Sequence, residues 1–304
     1  MISSDNPNVV ESISTLRQLI DWTAEQLNAA DLFFGHGTDN AYDEAVFLVL
    51  RSIQLPFDVA DKVLDQALEQ EEKERILSVI NERIKTKRPV AYILGEAWFA
   101  GMSFYVNEGV LIPRTPFAEL ITEKFSPWCE EDNVKRILDI GTGCGCIAIT
   151  SAFAFPDAKI DAIDISTEAL AVARKNVERY KLDDRITVIH SDLFENIGDI
   201  QYDLIIANPP YVSNDELANL PAEYHYEPVI GLHAGHDGLD VVKQILNSAR
   251  EHLTGQGVLA VEVGNSQQAL INYYPQVPFL WLDLQHGGEG VFLLTQQELL
   301  QWFP

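Results

Sequence analysis

The chain has 304 residues, 47% of them hydrophobic, enough for one large domain or two modest ones, and this excludes a disordered chain. Lys and Arg total 21 against 46 Asp and Glu, so the formal net charge is −25, a field that repels phosphate backbones and favours a basic partner. Three cysteines, Cys129, Cys144 and Cys146, predict small buried side chains in a reducing compartment; the last two flank Gly145, and nothing at a usual spacing completes a metal ligand set.

Residues 1–8 are polar and lack the basic start and apolar core of a signal peptide. No run approaches the roughly 18 apolar residues of a membrane span. A cytoplasmic protein with no membrane partner is expected.

Residues 1–87 read as a helical domain. Val10, Ile13, Leu16, Ile20, Ala24 and Leu27 recur at three- and four-residue steps, one stripe of an amphipathic helix. Asn40 is placed to cap a second helix running to Arg51 and ended by Pro56. Val59, Val63 and Ala67, then Ile76, Ile80 and Ile84, predict two further helical stripes. Such a bundle ahead of a catalytic domain suits partner recognition.

From Arg88 the pattern changes. Residues 91–94, 97–99 and 103–106 are rich in aromatics and broken by Gly95 and Gly101, which predicts a β-hairpin linker over 88–118. Residues 119–304 then alternate strand and helix. Strands are expected at 136–140, 159–164, 186–190, 202–207, 257–263, 279–284 and 290–295, and helices at 145–154, 167–180, 239–253 and 266–273. This order predicts an α/β fold, a mostly parallel seven-stranded sheet with helices on both faces.

Residues 136–146 form a strand, a glycine-rich turn and a helix start. Gly141, Gly143 and Gly145, with Thr142 between them, allow the backbone close to a ligand and aim N–H groups at it. A dinucleotide loop would carry its third glycine at 146, where Cys146 stands. The G-x-G-x-G spacing after Asp139 is instead the form seen in S-adenosylmethionine (SAM) enzymes. Asp139 is expected to hold the amino-acid end of that cofactor through a water or a backbone amide. Asp164 closes the second strand and can accept both ribose hydroxyls, leaving Ser166 or Thr167 to cap the following helix. Asp192 closes the third strand, placed for the adenine amino group, with Leu193 packing near the ring.

The fourth strand, 202–207, opens into Asn208-Pro209-Pro210-Tyr211. Two prolines end the strand and fix one backbone shape. They leave the Asn208 side chain and nearby carbonyls facing the carboxyl edge of the sheet, where open α/β sheets bind ligands. A stiff group of acceptors there suits the holding of a planar –NH2 by both hydrogens.

With these motifs, the chain resembles the class I SAM-dependent protein glutamine N5-methyltransferases over almost its whole length. The resemblance implies a Rossmann-like methyltransferase domain and a target glutamine amide gripped by Asn208, Pro209, Pro210 and Tyr211. It also places the stretch from Glu227-Pro228 to Leu239 near the mouth of the site. One family branch modifies peptide-chain release factors, the other a large-subunit ribosomal protein, L-three. The release-factor branch carries Thr and Glu where Phe117 and Ala118 stand here, while residues 35–40, 97–101 and 263–266 resemble the ribosomal branch. A basic ribosomal partner is therefore expected. The implied mechanism has the Asn208 side-chain oxygen and the Pro209 carbonyl each accept one amide N–H, with Tyr211 against the flat amide and Asn208 also near the cofactor. No dedicated base is required, since the spare proton can leave to water.

Three other readings remain open, the nearest being the release-factor enzyme, with the same chemistry and a different protein substrate. A nucleic-acid amino-methyltransferase could use the same motif, but it must flip a base and track phosphates with cations, against a charge of −25. A cofactor-fold assembly factor would bind SAM without turnover. No G-x-S-x-G or H-E-x-x-H occurs, and the scattered histidines, His225, His233 and His236 near the mouth included, read as solvated loop residues.

Overall fold

The computed structural model describes residues 11–285 and 287–303 and divides into two compact units. One comprises Met1–Ala97 with Pro221–Tyr226; the other comprises Trp98–Leu220 with Glu227–Pro304.

The first unit is helical: α1 (Leu16–Ala29), α2 (Ala41–Ser52), α3 (Asp61–Leu64), α4 (Gln70–Thr86) and α5 (Val90–Leu94). The stripe expected from Val10 onward is interrupted. Val10 lies outside the described residues, and α1 starts only after Thr15, whose side chain caps the Gln18 amide. Asn40 caps α2 as expected, accepting from the Asp43 amide at 2.9 Å. The helix expected through Val59, Val63 and Ala67 shrinks to the four residues of α3. Residues 67 and 68 instead pair with the chain before α1: Ala67 bridges Thr15, and the Leu68 amide donates to the Ser14 carbonyl. In α4 the buried positions are Ile76, Ile80 and Arg83, so an arginine takes the core place expected for Ile84. Residues 90–94 are helical, not part of the aromatic hairpin, which is confined to β1 (Glu96–Phe99) and β2 (Met102–Tyr105).

The second unit holds a seven-stranded sheet in the order β5-β4-β3-β6-β7-β9-β8 among the described residues. Its strands are β3 (Arg136–Ile140), β4 (Lys159–Asp164), β5 (Ile186–His190), β6 (Tyr202–Ala207), β7 (Leu253–Glu262), β8 (Leu280–Trp281) and β9 (Val291–Thr295). All pairings are parallel except those of β9 with β7 and β8. The four strands from β3 to β6 match the expected ranges. β7 begins four residues early, continuing the β6 pairing through Tyr202 and Leu253, and β8 is only a two-residue edge.

Helix α6 (Phe117–Thr122) precedes the sheet; α7 (Cys146–Ala154) and α8 (Thr167–Arg179) follow β3 and β4. The short α9 (Asn214–Leu217) follows β6, α10 (Asp240–Ser248) precedes β7, and α11 (Gln267–Tyr273) and α12 (Gln296–Trp302) complete the unit. Alternate residues of the central strands, Leu138 and Ile140, Ile205 and Ala207, Leu259 and Val261, stand in register and pack with Val242, Ile245 and Leu246 of α10 and Leu299 of α12. The opposite face carries α7 and α8, with Ile137, Ala148 and Ile149 buried. Asn176 of α8 pins the hairpin: it accepts from the Tyr105 amide and donates to the Tyr105 and Cys144 carbonyls. No described helix is long and apolar enough to cross a membrane.

Winding reverses between β3 and β6. β4 and β5 extend the sheet to one side and β6 and β7 to the other, so a crevice opens at the carboxyl ends of β3 and β6.

Candidate active site

Ile140 and Ala207 are register partners, so the glycine loop and the Asn208 turn leave adjacent strands side by side. A cavity of about 290 Å³ lies above them. Gly141, Thr142, Gly143, Asp164, Asp192 and Leu193 line it, and so do all four residues of the 208–211 turn. Gly141 and Gly143 take φ of +70° and +56°, where a side chain is strained. A Cβ on either would meet nothing closer than a backbone oxygen, 3.7 Å from Gly141 and 4.0 Å from Gly143. The bare backbone therefore leaves that space to a ligand.

Asp164 accepts the Gly143 amide on one oxygen at 2.9 Å and the Ser166 amide on the other at 2.8 Å, so it also sets the shape of the loop. Burial raises its pKa. Ser166 caps α8 through the Ala169 amide, leaving Asp164 to the cavity. Leu193 adopts a positive φ of 44°, and the Ser191 hydroxyl donates to its carbonyl at 2.6 Å. Ile140, Ile147, Ile163 and Ile165 make the remaining wall largely apolar. An apolar slot between the Asp164 and Asp192 carboxylates fits a nucleoside, whose ring is flat and whose hydroxyls and amino group need acceptors.

Asp139 and Gly145 stand behind this wall and do not line the cavity. Asp139 is fully buried; one oxygen accepts from the Thr142 hydroxyl at 2.6 Å and the Ala148 amide at 3.1 Å, and burial lifts its pKa to about 7. It thereby ties the loop to the start of α7. Gly145, at the start of α7, takes φ of +83°, where a side chain is strained, while a Cβ there would make only ordinary contact with Ala173 of α8 at 3.5 Å. Cys144 and Cys146 are buried free thiols. Among the described residues no group of His, Cys, Asp and Glu could hold a metal ion.

The other wall was only partly visible in the sequence. Leu111, Arg114, Thr115, Pro228, Ile230 and His233 face the cavity. Arg114 makes two short bonds to Glu227, at 2.6 and 2.7 Å, and the Ile112 amide adds a third to the same carboxylate. A bidentate pair with a fully buried carboxylate fixes the 110–116 segment against the 227–231 turn. His233 lies 2.6 Å from the Asn214 side-chain oxygen, whereas His225 and His236 do not line the cavity and His286 is outside the described residues. Sequence reasoning missed Thr115 and Glu262. The only signal was a lone carboxylate inside the apolar run from Val258 to Val263.

Residues 119–223 match the family model described as the methyltransferase small domain. The chain is 45% identical over 296 residues to the ribosomal protein uL3 glutamine methyltransferase of Francisella tularensis subsp. tularensis, covering 97% of this chain and 94% of that one. It is also 45% identical over 291 residues to the enzyme of the same name from Neisseria gonorrhoeae, covering 95% and 97%. Among solved structures, the hMettl16 catalytic domain in complex with MAT2A 3'UTR hairpin 1 superposes with a TM-score of 0.50 at 18% identity, covering 79% of this chain and 85% of that one. At that identity the likeness concerns the fold alone.

Proposed function

The chain belongs to the ribosomal protein uL3 glutamine methyltransferase family, and from that premise we propose that it transfers a methyl group from SAM to the side-chain amide nitrogen of a glutamine in uL3. The observation that carries this reading is the junction of the two motifs. The glycine loop and the 208–211 turn emerge from paired strands into one cavity, so a nucleoside-bound sulfonium and a carboxamide can meet there. SAM supplies an electrophilic methyl when bound. Asp164 is assigned its ribose hydroxyls, Asp192 its adenine amino group, Leu193 the ring face, and the Gly141–Gly143 backbone its amino-acid end, which Asp139 and Thr142 support from behind.

A carboxamide nitrogen is a poor nucleophile because its lone pair is delocalised into the carbonyl. Orientation is the larger need. The Asn208 oxygen and the Pro209 carbonyl each accept one amide N–H, aim the lone pair into the cavity, and favour the positive charge that develops on nitrogen. The proton then leaves to water.

Substrate recognition is assigned to the helical unit. With a net charge of −25 the partner is basic protein, and neither nucleic acid nor membrane is bound; the setting is the cytoplasm. The deciding assay offers labelled SAM with uL3, a release factor and RNA together, and locates the label by mass spectrometry. Label on a uL3 glutamine side chain is expected; label only on the release factor or RNA rejects the reading.

Asp164→Ala is expected to weaken SAM binding by about 10- to 100-fold, since charge-assisted hydrogen bonds contribute about 1.5–3 kcal/mol. Calorimetry without protein substrate measures this directly, and an unchanged Kd removes Asp164 from the cofactor site.

A further inference from the structure

The last residue of β7, Glu262, and the residues up to Ser266 that follow it touch the 208–211 turn at its fourth member. Glu262 ends a strand flanked by β6 and β9, and it is buried. One of its oxygens accepts the Tyr211 hydroxyl at 3.1 Å, the other the Thr115 hydroxyl at 2.5 Å. Thr115 in turn accepts the Phe117 amide, which starts α6. The Ser266 hydroxyl donates to the Tyr211 carbonyl at 2.8 Å. Gly264 lies under the Tyr211 ring, where a Cβ would come within 2.7 and 2.9 Å of ring carbons. A Cβ on Gly238 would fall 2.3 Å from the Tyr211 carbonyl oxygen. Tyr211 is thus held at its hydroxyl, its ring and its carbonyl by one short stretch of chain and its packing partners.

We infer that Glu262 is a positioning residue for the methyl transfer proposed above: its carboxylate joins the Tyr211 hydroxyl to Thr115 and so sets where the 208–211 turn stands against the cavity. A buried carboxylate that served packing alone would be a costly choice, because an apolar side chain of similar size does that work without desolvating a charge. Burial pushes the Glu262 pKa up to about 7, and Arg114 is the cation that opposes the shift. What the carboxylate adds over an apolar residue is two acceptor oxygens in a fixed fork, one for each wall of the cavity. Asn208 acts directly on the substrate amide in the proposed mechanism, and any swing of Tyr211 moves the acceptors with it through the rigid prolines. Near-attack geometry tolerates little such displacement.

The test is a set of three variants of the full-length enzyme. Glu262→Leu keeps the volume and loses both hydrogen bonds. Its kcat on uL3 is expected to fall by about 10- to 100-fold, the loss expected for a misplacement remote from the chemistry, with KM for SAM within about threefold. Glu262→Gln can still accept from Tyr211 and donate to Thr115, and it is expected to restore most of the kcat. Combining Glu262→Leu with Tyr211→Phe should cost no more than the larger single loss, because both remove the same bond. Wild-type kcat in Glu262→Leu, a Gln variant as damaged as Leu, or losses that multiply in the double variant would each overturn the role.

A fluorinated tyrosine at position 211 gives a readout that does not need turnover. One sharp fluorine resonance is expected in the wild type and in Glu262→Gln, and a shifted or broadened one in Glu262→Leu. An identical resonance in all three refutes the positioning even if uL3 proves not to be the substrate. Absent glutamine methylation by the wild type, with the resonance change intact, sinks the functional reading instead.

Discussion

Asn208→Ala is expected to lower methyl transfer to uL3 by about 10³-fold in kcat while SAM binds with nearly its normal Kd, a loss at the upper end of that seen when one preorganised group facing developing charge is removed. The split follows from where the contacts lie. The groups assigned to the cofactor, Asp164, Asp192, Leu193 and the glycine loop, belong to β3, β4 and β5 and the turns that follow them. Asn208 belongs to β6, across the winding reversal. Its backbone faces Gly141, but the carboxamide is the part asked to orient the substrate. Alanine leaves the two prolines, and hence the turn, in place. It removes one of the two acceptors for the target –NH2, so the bound amide can rotate and its lone pair leaves the line of attack. The measurement is single-turnover methyl incorporation beside calorimetric SAM binding. A variant that turns over as fast as the parent would leave the N–H acceptor role without support, and one that binds no SAM would show that the residue shapes the cofactor site.

The parts of this cavity that sequence revealed are those encoded locally. Each strand from β3 to β6 is a short apolar run ended by a residue that breaks the pattern: Gly141, Asp164, Asp192 and Asn208 stand at or just beyond those ends. Alternation of strand and helix then places all four at one edge of the sheet. What escaped notice depends on partners far apart in sequence. Thr115 and Glu262 meet across 147 positions, and Arg114 and Glu227 across 113, and neither pair leaves any periodic trace. Asp139 shows the converse limit. Its position near the end of β3, just before a glycine loop, invites a ligand role, yet strand alternation turns it away from the apolar cluster of Leu138 and Ile140 toward the Ala148 amide of α7. In the helical unit periodicity fails where backbone pairing wins: residues 67 and 68 bond to the segment before α1 in place of continuing a helix.

Arg83 is the residue that periodicity would not have chosen for a core, and its replacement carries the second large effect. Its side chain is 1% exposed, and the two carboxylates it meets, Glu44 and Glu223, are 4% and 2% exposed. The guanidinium donates to Glu44 at 2.7 Å and to Glu223 at 3.3 Å, and to the carbonyls of Lys87 and Phe33. Glu223 also accepts the Phe33 amide at 2.9 Å. Arg83→Ala therefore leaves two buried carboxylates without their cation and two carbonyls without a donor, and is expected to destabilise the helical unit by about 3–5 kcal/mol. The pH dependence has a definite sign. Burial already raises the pKa of Glu44 against the pull of Arg83. A carboxyl with a raised folded-state pKa favours folding below its unfolded-state value and loses that contribution as pH rises through the folded one. Removing Arg83 raises it further, so the deficit is expected to be larger at pH 8 than at pH 5, read by urea denaturation at both. A second variant separates charge burial from lost packing. Arg83→Met combined with Glu44→Leu and Glu223→Gln removes all three charges and keeps an acceptor for the Phe33 amide. It is expected to recover most of the loss, because an apolar core of similar volume replaces a buried ion pair at little cost. Equal deficits at the two pH values would mean that the arginine serves by volume and hydrogen bonding rather than by neutralising the two acids, and no recovery in the triple variant, which keeps the volume, would assign the loss to the hydrogen bonds to the Lys87 and Phe33 carbonyls.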